Sequence, residues 1–231
     1  MKQILIVEDD LSIAELQKDY LELSGFQITL AQDGVEGLNK IKNENFDLII
    51  LDVMLPQLNG YDILRIIQDT KDIPVIMVSA KKEEIDKIKG LSLGADDYIT
   101  KPFSPGELVA RVKSHLSNYE RLKNKYFIED NSSSLKIRGL EIKKSSRQAY
   151  INGKEVNLAQ KEFDLLICMA ESPNKVFTRD ELFDKIWGYD ALGDNSTVTV
   201  HVARVREKIE PEPSNPQYIE TVWGVGYRLR V

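Results

Sequence analysis

The stretch QILIVEDDLSIAELQKDYLEL, Gln3–Leu23, decides the fold of the first half of the chain. Its opening run, QILIV, is short, uncharged and rich in Ile and Val, the composition of a buried strand. Three acids, Glu8, Asp9 and Asp10, end it. Beyond them Ile13, Leu16, Tyr20 and Leu23 recur at steps of three and four residues, so they share one face of a helix. A strand, an acidic stop and an amphipathic helix make one βα unit. The alternation continues through FQITL, FDLIILDV, IPVIMVSA and DDYIT, separated by helix-length segments, one of which groups Ile63, Leu64 and Ile67. Strands without an alternating polar face belong to a parallel sheet covered by helices on both sides. The expected fold class of this half is α/β, a doubly wound five-stranded parallel sheet. Its last helix has Ser104 as cap, Pro105 in the first turn and Glu107 three residues after the cap. It is expected to end between Leu116 and Lys123.

The pattern then changes. KNKYFIEDNSSSLK is polar and carries three serines in a row, which places a linker at 121–134 between a first domain, 1–120, and a second, 135–231. In the second, LKIRGLEIKKSSRQAYINGKEVNL has short alternating runs broken at SSR and NGK, as antiparallel strands with tight turns are. QKEFDLLICMAES and RDELFDKIWG are helical patterns, and Thr178 and Glu181 are spaced as a capping box before the latter. QYIETVWGVGYRLRV reads as two β runs around a Gly-rich turn. Strands, three helices and a hairpin describe an α+β winged helix-turn-helix.

The third helix of that set is STVTVHVARVREKI, Ser196–Ile209, which at first alternates like a strand. Period two groups Val198, Val200 and Val202 but then brings Arg204 and Arg206 to the same side. Period 3.6 aligns Val198, Val202, Val205 and Ile209 over the full length, and the helix prevails. Five β-branched residues in its first seven make it a weak helix alone, dependent on the core beneath it. Ser196, Val200, Ala203 and Glu207 fall on the opposite face, flanked by Thr199 and Arg206 on one side and Arg204 on the other. A small-residue strip edged by arginines suits entry into a DNA major groove. Val200 is placed for thymine methyls and Arg204 for a guanine edge, with Thr197, Arg206 and Lys208 as phosphate contacts. An amphipathic helix with a cationic end that favours its own dipole accounts for the same residues without DNA.

Composition limits the classes. Apolar content is 42% and charged content 29%, and no apolar run is long enough for a spanning helix, so a cytoplasmic protein without membrane contact is expected. The single cysteine, Cys168, excludes an internal disulfide framework and sits in an apolar run as a buried thiol does. The net charge of −6 by itself argues against nucleic acid. It is divided unevenly, however: residues 1–117 hold 13 Lys and Arg against 20 Asp and Glu, and residues 118–231 hold 18 against 17. An acidic module precedes a neutral one, and the two have different partners.

In an open parallel sheet, ligands bind beyond the carboxyl ends of the strands. Those ends carry Glu8, Asp9 and Asp10, then Asp52, Ser79 and Lys101. An acid after a strand ordinarily caps a helix, which explains Asp9 or Asp10 singly. It does not explain Asp52, which follows an apolar run and precedes VMLP, or a lysine held before a proline. Clustered carboxylates need a cation to stay ionised, and oxygen-only donors favour a hard ion such as Mg²⁺. A carboxylate can also be the nucleophile toward phosphorus, with a lysine and a hydroxyl on the phosphoryl oxygens.

ILIVEDD, DLIILDVMLPQLNG, PVIMVSA and GADDYITKPFSPGELVARV together closely resemble the flavodoxin-like receiver domain of bacterial two-component response regulators. KEFDLLICMAESPNKVFTRDELFDKIWG, TVTVHVARVREKIEP and YIETVWGVGYRL resemble the winged-helix effector domain of the OmpR/PhoB subfamily. The resemblance spans about residues 2–231. It implies Asp52 as phospho-acceptor, with Lys101 and Ser79 as its catalytic partners. Mg²⁺ would be held by Asp9, Asp52, the Met54 carbonyl and, through water, Glu8. Ser79 and Tyr98 would form the switch, and the Lys101–Pro102 bond would be cis. The resemblance also implies a homodimer through the fourth helix, fifth strand and fifth helix when phosphorylated. Lys87 would pair with Glu107 and Asp97 with Arg111, beside Lys113, around Leu91 and Val109. The implied partners are a cognate sensor histidine kinase and promoter DNA with tandem half-sites. RNA polymerase is a further one, through the loop in DELFDKIWGYDALGDNS. No catalytic turnover is implied beyond the receiver's own phosphotransfer and slow hydrolysis. The alternative is a regulator that binds DNA independently of phosphorylation.

For the DNA contact the resemblance implies Ser196, Thr197, Thr199, Val200, His201, Ala203, Arg204, Arg206, Lys208 and Trp223. His201 is read as either packed or facing phosphate. The chain departs from common family choices at Ser196, Thr199 and Ala203, and at Trp223, where the wing often has arginine. Ala159 stands where a capping Thr is usual.

Overall fold

A computed structural model of the chain describes residues 1–70, 73–80, 84–128, 134–188 and 195–231. It forms two compact units, Met1–Leu116 and Ser117–Val231. In the first, β1 (Gln3–Val7), β2 (Gln27–Ala31), β3 (Leu48–Asp52), β4 (Val75–Ser79) and β5 (Asp97–Thr100) form a parallel sheet in the order β2-β1-β3-β4-β5. The intervening helices are α1 (Leu11–Leu23), α2 (Gly34–Asn43), α3 (Gly60–Thr70), α4 (Glu84–Ser92) and α5 (Pro105–Ile128). Every residue of β3 and β4 is buried, which is why both read as unbroken apolar runs. The strand order reverses at β1, between β2 and β3, and a crevice opens there at the carboxyl ends.

Two expectations are corrected. α1 is a helix, but its buried face is Ala14, Gln17 and Leu21, whereas Leu16, Tyr20 and Leu23 are 49%, 44% and 85% exposed. Two arcs of this helix carry apolar residues, and periodicity fixes the spacing of a face without fixing which arc the sheet takes. Asp10 caps α1, accepting from the Ser12 and Ile13 amides at 2.8 and 3.1 Å, the ordinary role of an acid after a strand. The second correction is α5, which runs to Ile128 and takes the first part of the 121–134 segment into the helix. ERLKNKYFI contains no glycine or proline to stop it. Residues 129–133 of that segment lie outside the described residues.

In the second unit, β6 (Ser134–Ile137), β7 (Leu140–Lys143), β8 (Gln148–Ile151) and β9 (Lys154–Val156) form an antiparallel sheet in sequence order. Asn152 and Gly153, at φ 50° and 80°, make the tight β8–β9 turn, the primed turn that Asn-Gly favours. Helices α6 (Gln160–Ala170), α7 (Arg179–Trp187) and α8 (Ser196–Ile209) follow. A small sheet of β10 (Phe177–Thr178), β12 (Gly226–Leu229) and β11 (Ile219–Val222) closes the unit. Gly226 is required there: a Cβ would fall 1.9 Å from the Phe177 carbonyl oxygen. One core gathers Leu165, Leu166, Phe177, Trp187 and the α8 stripe of Val198, Val202, Val205 and Ile209. Buried Glu210 follows α8, and its carboxylate accepts from the backbone amides of Gln217, Tyr218 and Ile219, fixing the approach to β11.

The capping chemistry follows the sequence. Thr178 Oγ1 accepts from the Glu181 amide at 3.0 Å, and the Glu181 carboxylate reaches back to the Thr178 amide at 2.9 Å. At α6 only the return arm exists: Glu162 accepts from the Ala159 amide at 2.8 Å, and alanine offers no oxygen in exchange. An Ala159→Thr chain is expected to gain about 1 kcal/mol, measured as a raised denaturation midpoint of the second unit with the first unit's transition unmoved.

Candidate functional site

The acidic crevice assembles at the carboxyl ends of β1, β3 and β5. Glu8, Asp9 and Asp52 present ligand oxygens within 4.8 Å of one another. Glu8 and Asp52 are 2% and 4% exposed, whereas Asp9 is exposed. Asp52 Oδ1 accepts from the Met54 amide at 2.8 Å. Asp52 Oδ2 takes Lys101 Nζ at 2.5 Å, and the same ammonium lies 2.7 Å from both oxygens of Glu8. Lys101 precedes the cis bond to Pro102. Its amide donates to the Ser79 carbonyl at 2.7 Å, bringing the ends of β4 and β5 together. Ser79 is fully buried and Tyr98 is 4% exposed.

The electrostatics follow from crowding. Burial, opposed by Lys101 and reinforced by Asp52, raises the Glu8 carboxyl to about 7. Burial works against the charge on Lys101, but Asp52 and Glu8 outweigh it and push the ammonium up. One monovalent cation thus serves two buried carboxylates and does not satisfy them fully. An all-oxygen set with a surplus of negative charge fits a small divalent cation of the Mg²⁺ kind.

Two contributors have no charge of their own. Gly60 opens α3, and a Cβ there would sit 2.1 Å from the Asp52 carbonyl oxygen, so only glycine lets the loop close beneath the acid. Tyr61, next in sequence, is buried, donates to the Asp86 carbonyl at 3.3 Å and meets the Tyr98 hydroxyl. Burial first, then Tyr98, pushes its phenol up. Nothing in the spacing of the sequence marks this contact, because it joins α3, α4 and β5.

On β5 and α5, Asp97, Glu107, Arg111 and His115 pair within the chain. Asp97 Oδ2 takes Arg111 at 2.9 Å and His115 Nε2 at 3.2 Å, and Arg111 also donates to Glu107 at 2.8 Å. Burial resists ionisation of Asp97, but His115 and Arg111 hold its carboxyl below the usual range. Leu91 is buried at 2%, not part of an open apolar face, whereas Val109 and Lys87 are half-buried and Lys113 is exposed.

In the second unit α8 turns its valine stripe inward and leaves Thr199, Ala203, Glu207 and Lys208 exposed, with Ser196, Val200, Arg204 and Arg206 half-buried. Two expected contacts face the core instead. Thr197 is 5% exposed and His201 1%. The His201 ring lies edge-on to Trp187 with Nδ1 3.0 Å from the Thr197 carbonyl. Position 201 adjoins Val202 on the helix, and the wide buried arc takes it in. Arg206 and Lys208 are engaged by the protein: Arg206 donates to the Ile219 carbonyl and Thr221 Oγ1, both at 2.8 Å, and Lys208 to Glu162 at 2.6 Å. Arg204 pairs with Glu207 at 2.6 Å on the open side. Trp223, at the wing tip, is 89% exposed. Residues 189–194, within the DELFDKIWGYDALGDNS segment expected to meet RNA polymerase, lie outside the described residues.

Burial lowers the affinity of His201 for its proton. The unfolded chain therefore binds that proton first, and the stabilisation present above about pH 6.5 is lost as pH falls below it. As pH falls below about 6.5 the second unit is expected to lose stability through this group, at most about 1.4 kcal/mol per pH unit. Melts of the full chain across that range check it, and His201→Phe is expected to flatten that part of the profile.

A parallel sheet whose switch-point crevice holds three carboxylates, a lysine and a buried hydroxyl, followed in the same chain by a winged helix, defines a phosphorylation-controlled DNA-binding regulator. Residues 4–113 match the model of the response regulator receiver domain, and residues 153–229 that of the C-terminal domain of transcriptional regulatory proteins. The chain is 43% identical over 227 residues to the uncharacterized transcriptional regulatory protein YcbL of Bacillus subtilis (strain 168), covering 97% of this chain and 99% of the relative. It is 43% identical over 226 residues to the regulatory protein VanRc of Enterococcus gallinarum, covering 98% and 97%. The crystal structure of response regulator DrrB, an OmpR/PhoB homologue of Thermotoga maritima, matches with 34% identity and a TM-score of 0.52 over 100% of both chains. The chain belongs to the OmpR/PhoB family of two-component response regulators. It is a phosphorylation-linked, DNA-binding transcription regulator, with the receiver architecture that supports its own phosphotransfer and dephosphorylation. Among the described residues no helix is long and apolar enough to cross a membrane.

Proposed function

We propose that Asp52 is the phospho-acceptor and that its phosphorylation controls binding of α8 to promoter DNA. The observation that carries this reading is the setting of Asp52: one carboxylate oxygen held by the Met54 amide, the other by Lys101, with Glu8 and Asp9 alongside. Asp52 Oδ forms a bond to the donor's phosphorus as the bond from phosphorus to the kinase's histidine nitrogen breaks and the imidazole leaves, while Lys101 and Ser79 receive the phosphoryl oxygens. Asp9, Asp52, the Met54 carbonyl and, through water, Glu8 would hold Mg²⁺, which would supply positive charge to the crowded carboxylates during transfer. Movement of Ser79 toward the new group then alters the seat of Tyr98 and the α4–β5–α5 face.

On this reading the receiver is 1–120 and the effector 135–231, joined by a 121–134 segment that is helical at its start. The donor is a cognate sensor histidine kinase. Phosphorylated chains pair through Lys87, Asp97, Glu107, Arg111 and Lys113 around Val109 and bind tandem half-sites, in contact with RNA polymerase. Arg111 must then exchange its partners within the chain for those of the second copy, which makes the face a two-state element. Ser196, Thr199, Val200, Ala203 and Arg204 read bases, and Arg206 and Lys208 serve mainly to hold α8 in place. The test is selection of bound sequences from random DNA by the full chain, with and without Mg²⁺ and beryllofluoride. Enrichment of a direct repeat only in the treated sample supports the reading, and equal enrichment in both rejects control by phosphorylation.

A further inference from the structure

Tyr61 stands on α3, outside the α4–β5–α5 face, yet three elements meet at its side chain. Gly60 before it packs against the Asp52 carbonyl and donates its amide to the Val53 carbonyl at 3.1 Å, so the backbone beside Asp52 fixes where Tyr61 begins. The ring is only 6% exposed, with Lys89 Nζ of α4 4.4 Å from its centre. Its hydroxyl donates to the Asp86 carbonyl, in the first turn of α4, at 3.3 Å. The same hydroxyl meets that of Tyr98, and with its proton on Asp86 it turns a lone pair toward Tyr98. Tyr98 lies directly beneath α4: a Cβ at Gly90 would fall 3.0 Å from its ring and 3.2 Å from Met77 Sδ, so glycine lets the helix rest on the ring. A phenylalanine at 61 would fill the same space. The hydroxyl is what packing does not require, and it touches both the switch and the helix above it.

We propose that Tyr61 is a positioning residue that couples the switch to α4: its hydroxyl makes the first turn of α4 follow the seat of Tyr98. This rests on the reading in which phosphorylation of Asp52 acts through Ser79 and Tyr98 on a pairing face. Ser79 and Tyr98 stand on the adjacent strands β4 and β5, and a change there has still to reach a helix. Tyr61 supplies a polar link from β5 to the backbone of α4. Hydrogen bonds are short and directional, so a shift of about 1 Å at Tyr98 either breaks the link or carries Asp86 with it. Lys87, the next residue, belongs to the pairing face and moves with that turn. Two properties follow. The hydroxyl takes no part in phosphoryl transfer, so its loss leaves phosphate uptake alone. It acts through Tyr98, so loss of either hydroxyl has the same effect as loss of both.

Self-association of the full chain in Mg²⁺ and beryllofluoride, followed by sedimentation equilibrium, tests the link with Tyr61→Phe, Tyr98→Phe and the double variant. Phenylalanine keeps both rings and removes only the hydroxyls. Tyr61→Phe is expected to weaken the treated dimer about 10-fold, as the bias of one net hydrogen bond is lost from each of two copies. Tyr98→Phe is expected to have an effect of the same size, and the double variant no more than either alone. Phosphate uptake from acetyl phosphate by Tyr61→Phe is expected to match wild type, which a general loosening of the receiver would not allow. Unchanged self-association of Tyr61→Phe overturns the coupling. So do effects that multiply in the double variant, which would make the two tyrosines independent packing residues, and so does uptake that falls in parallel with self-association. If treatment leaves the wild-type chain monomeric, or if Asp52→Asn responds as wild type does, the phosphorylation reading fails and the coupling with it. If wild type pairs on treatment, Asp52→Asn does not, and Tyr61→Phe pairs as wild type does, only the coupling is lost.

Discussion

Replacing Asp52 by Asn is expected to reduce phosphate uptake from acetyl phosphate to background and to remove the phosphate-dependent gain in DNA affinity. The argument is one of access and chemistry. Asp52 is the carboxylate that closes β3, with its Oδ1 fixed by the Met54 amide and its Oδ2 turned toward Lys101. An amide retains the first contact through its carbonyl oxygen but is no longer a nucleophile toward phosphorus. Loss of one buried negative charge from a pair that Lys101 does not fully satisfy is not expected to unfold the domain. The thermal midpoint should therefore hold or rise while uptake disappears. Phosphate retained by the variant would move the acceptor to another acid of the crevice, Asp9 foremost, and would end the assignment. Lys101→Met separates acceptor from partner: Asp52 remains a nucleophile, so uptake is slowed rather than abolished, while the response of the α4–β5–α5 face is lost.

The strands, their parallel sense and the acids at their ends were legible because each depends on chain-local features. A buried parallel strand must be apolar throughout, and a ligand-binding acid must stand where that run stops. Glu8 and Asp52 satisfy both conditions, and Ser79 and Lys101 stand at the corresponding ends of β4 and β5. What was not legible depends on phase or on contacts distant in sequence. The Ile13–Leu23 stripe has helical spacing, yet the sheet covers the arc of Ala14 and Leu21 instead. Tyr61 reaches Tyr98 only after α3 and β5 are in place. Arg206 and Lys208 look like free cations in a list of residues, but Ile219, Thr221 and Glu162 come within their reach only once the wing and α6 have packed. The buried side of α8 was readable from Val198, Val202, Val205 and Ile209. The width of that buried arc, which takes in Thr197 and His201, was not.

That width determines the second large effect. Ala203→Asp is expected to lower DNA affinity more than about 100-fold at low salt while leaving the chain folded, because a carboxylate would stand in the middle of the open face of α8, toward the phosphates. Ala203 is exposed, so the structural cost is limited to helix propensity and repulsion from Glu207 one turn on, together about 1 kcal/mol. The same change one residue earlier behaves differently. Val202 is 1% exposed within the effector core, and an aspartate there buries an unpaired charge, so Val202→Asp should unfold the second unit and lose DNA binding for that reason. Circular dichroism and duplex retardation on the two variants separate the outcomes. A folded Ala203→Asp chain with wild-type affinity would show that α8 does not present this face to DNA, whereas loss of binding in a folded chain locates the contact on the arc through Thr199, Ala203 and Glu207. Neighbouring positions on one helix thus have opposite consequences because α8 divides its residues between an effector core and an open surface, and Arg204 lies at the boundary with its charge already turned outward to Glu207.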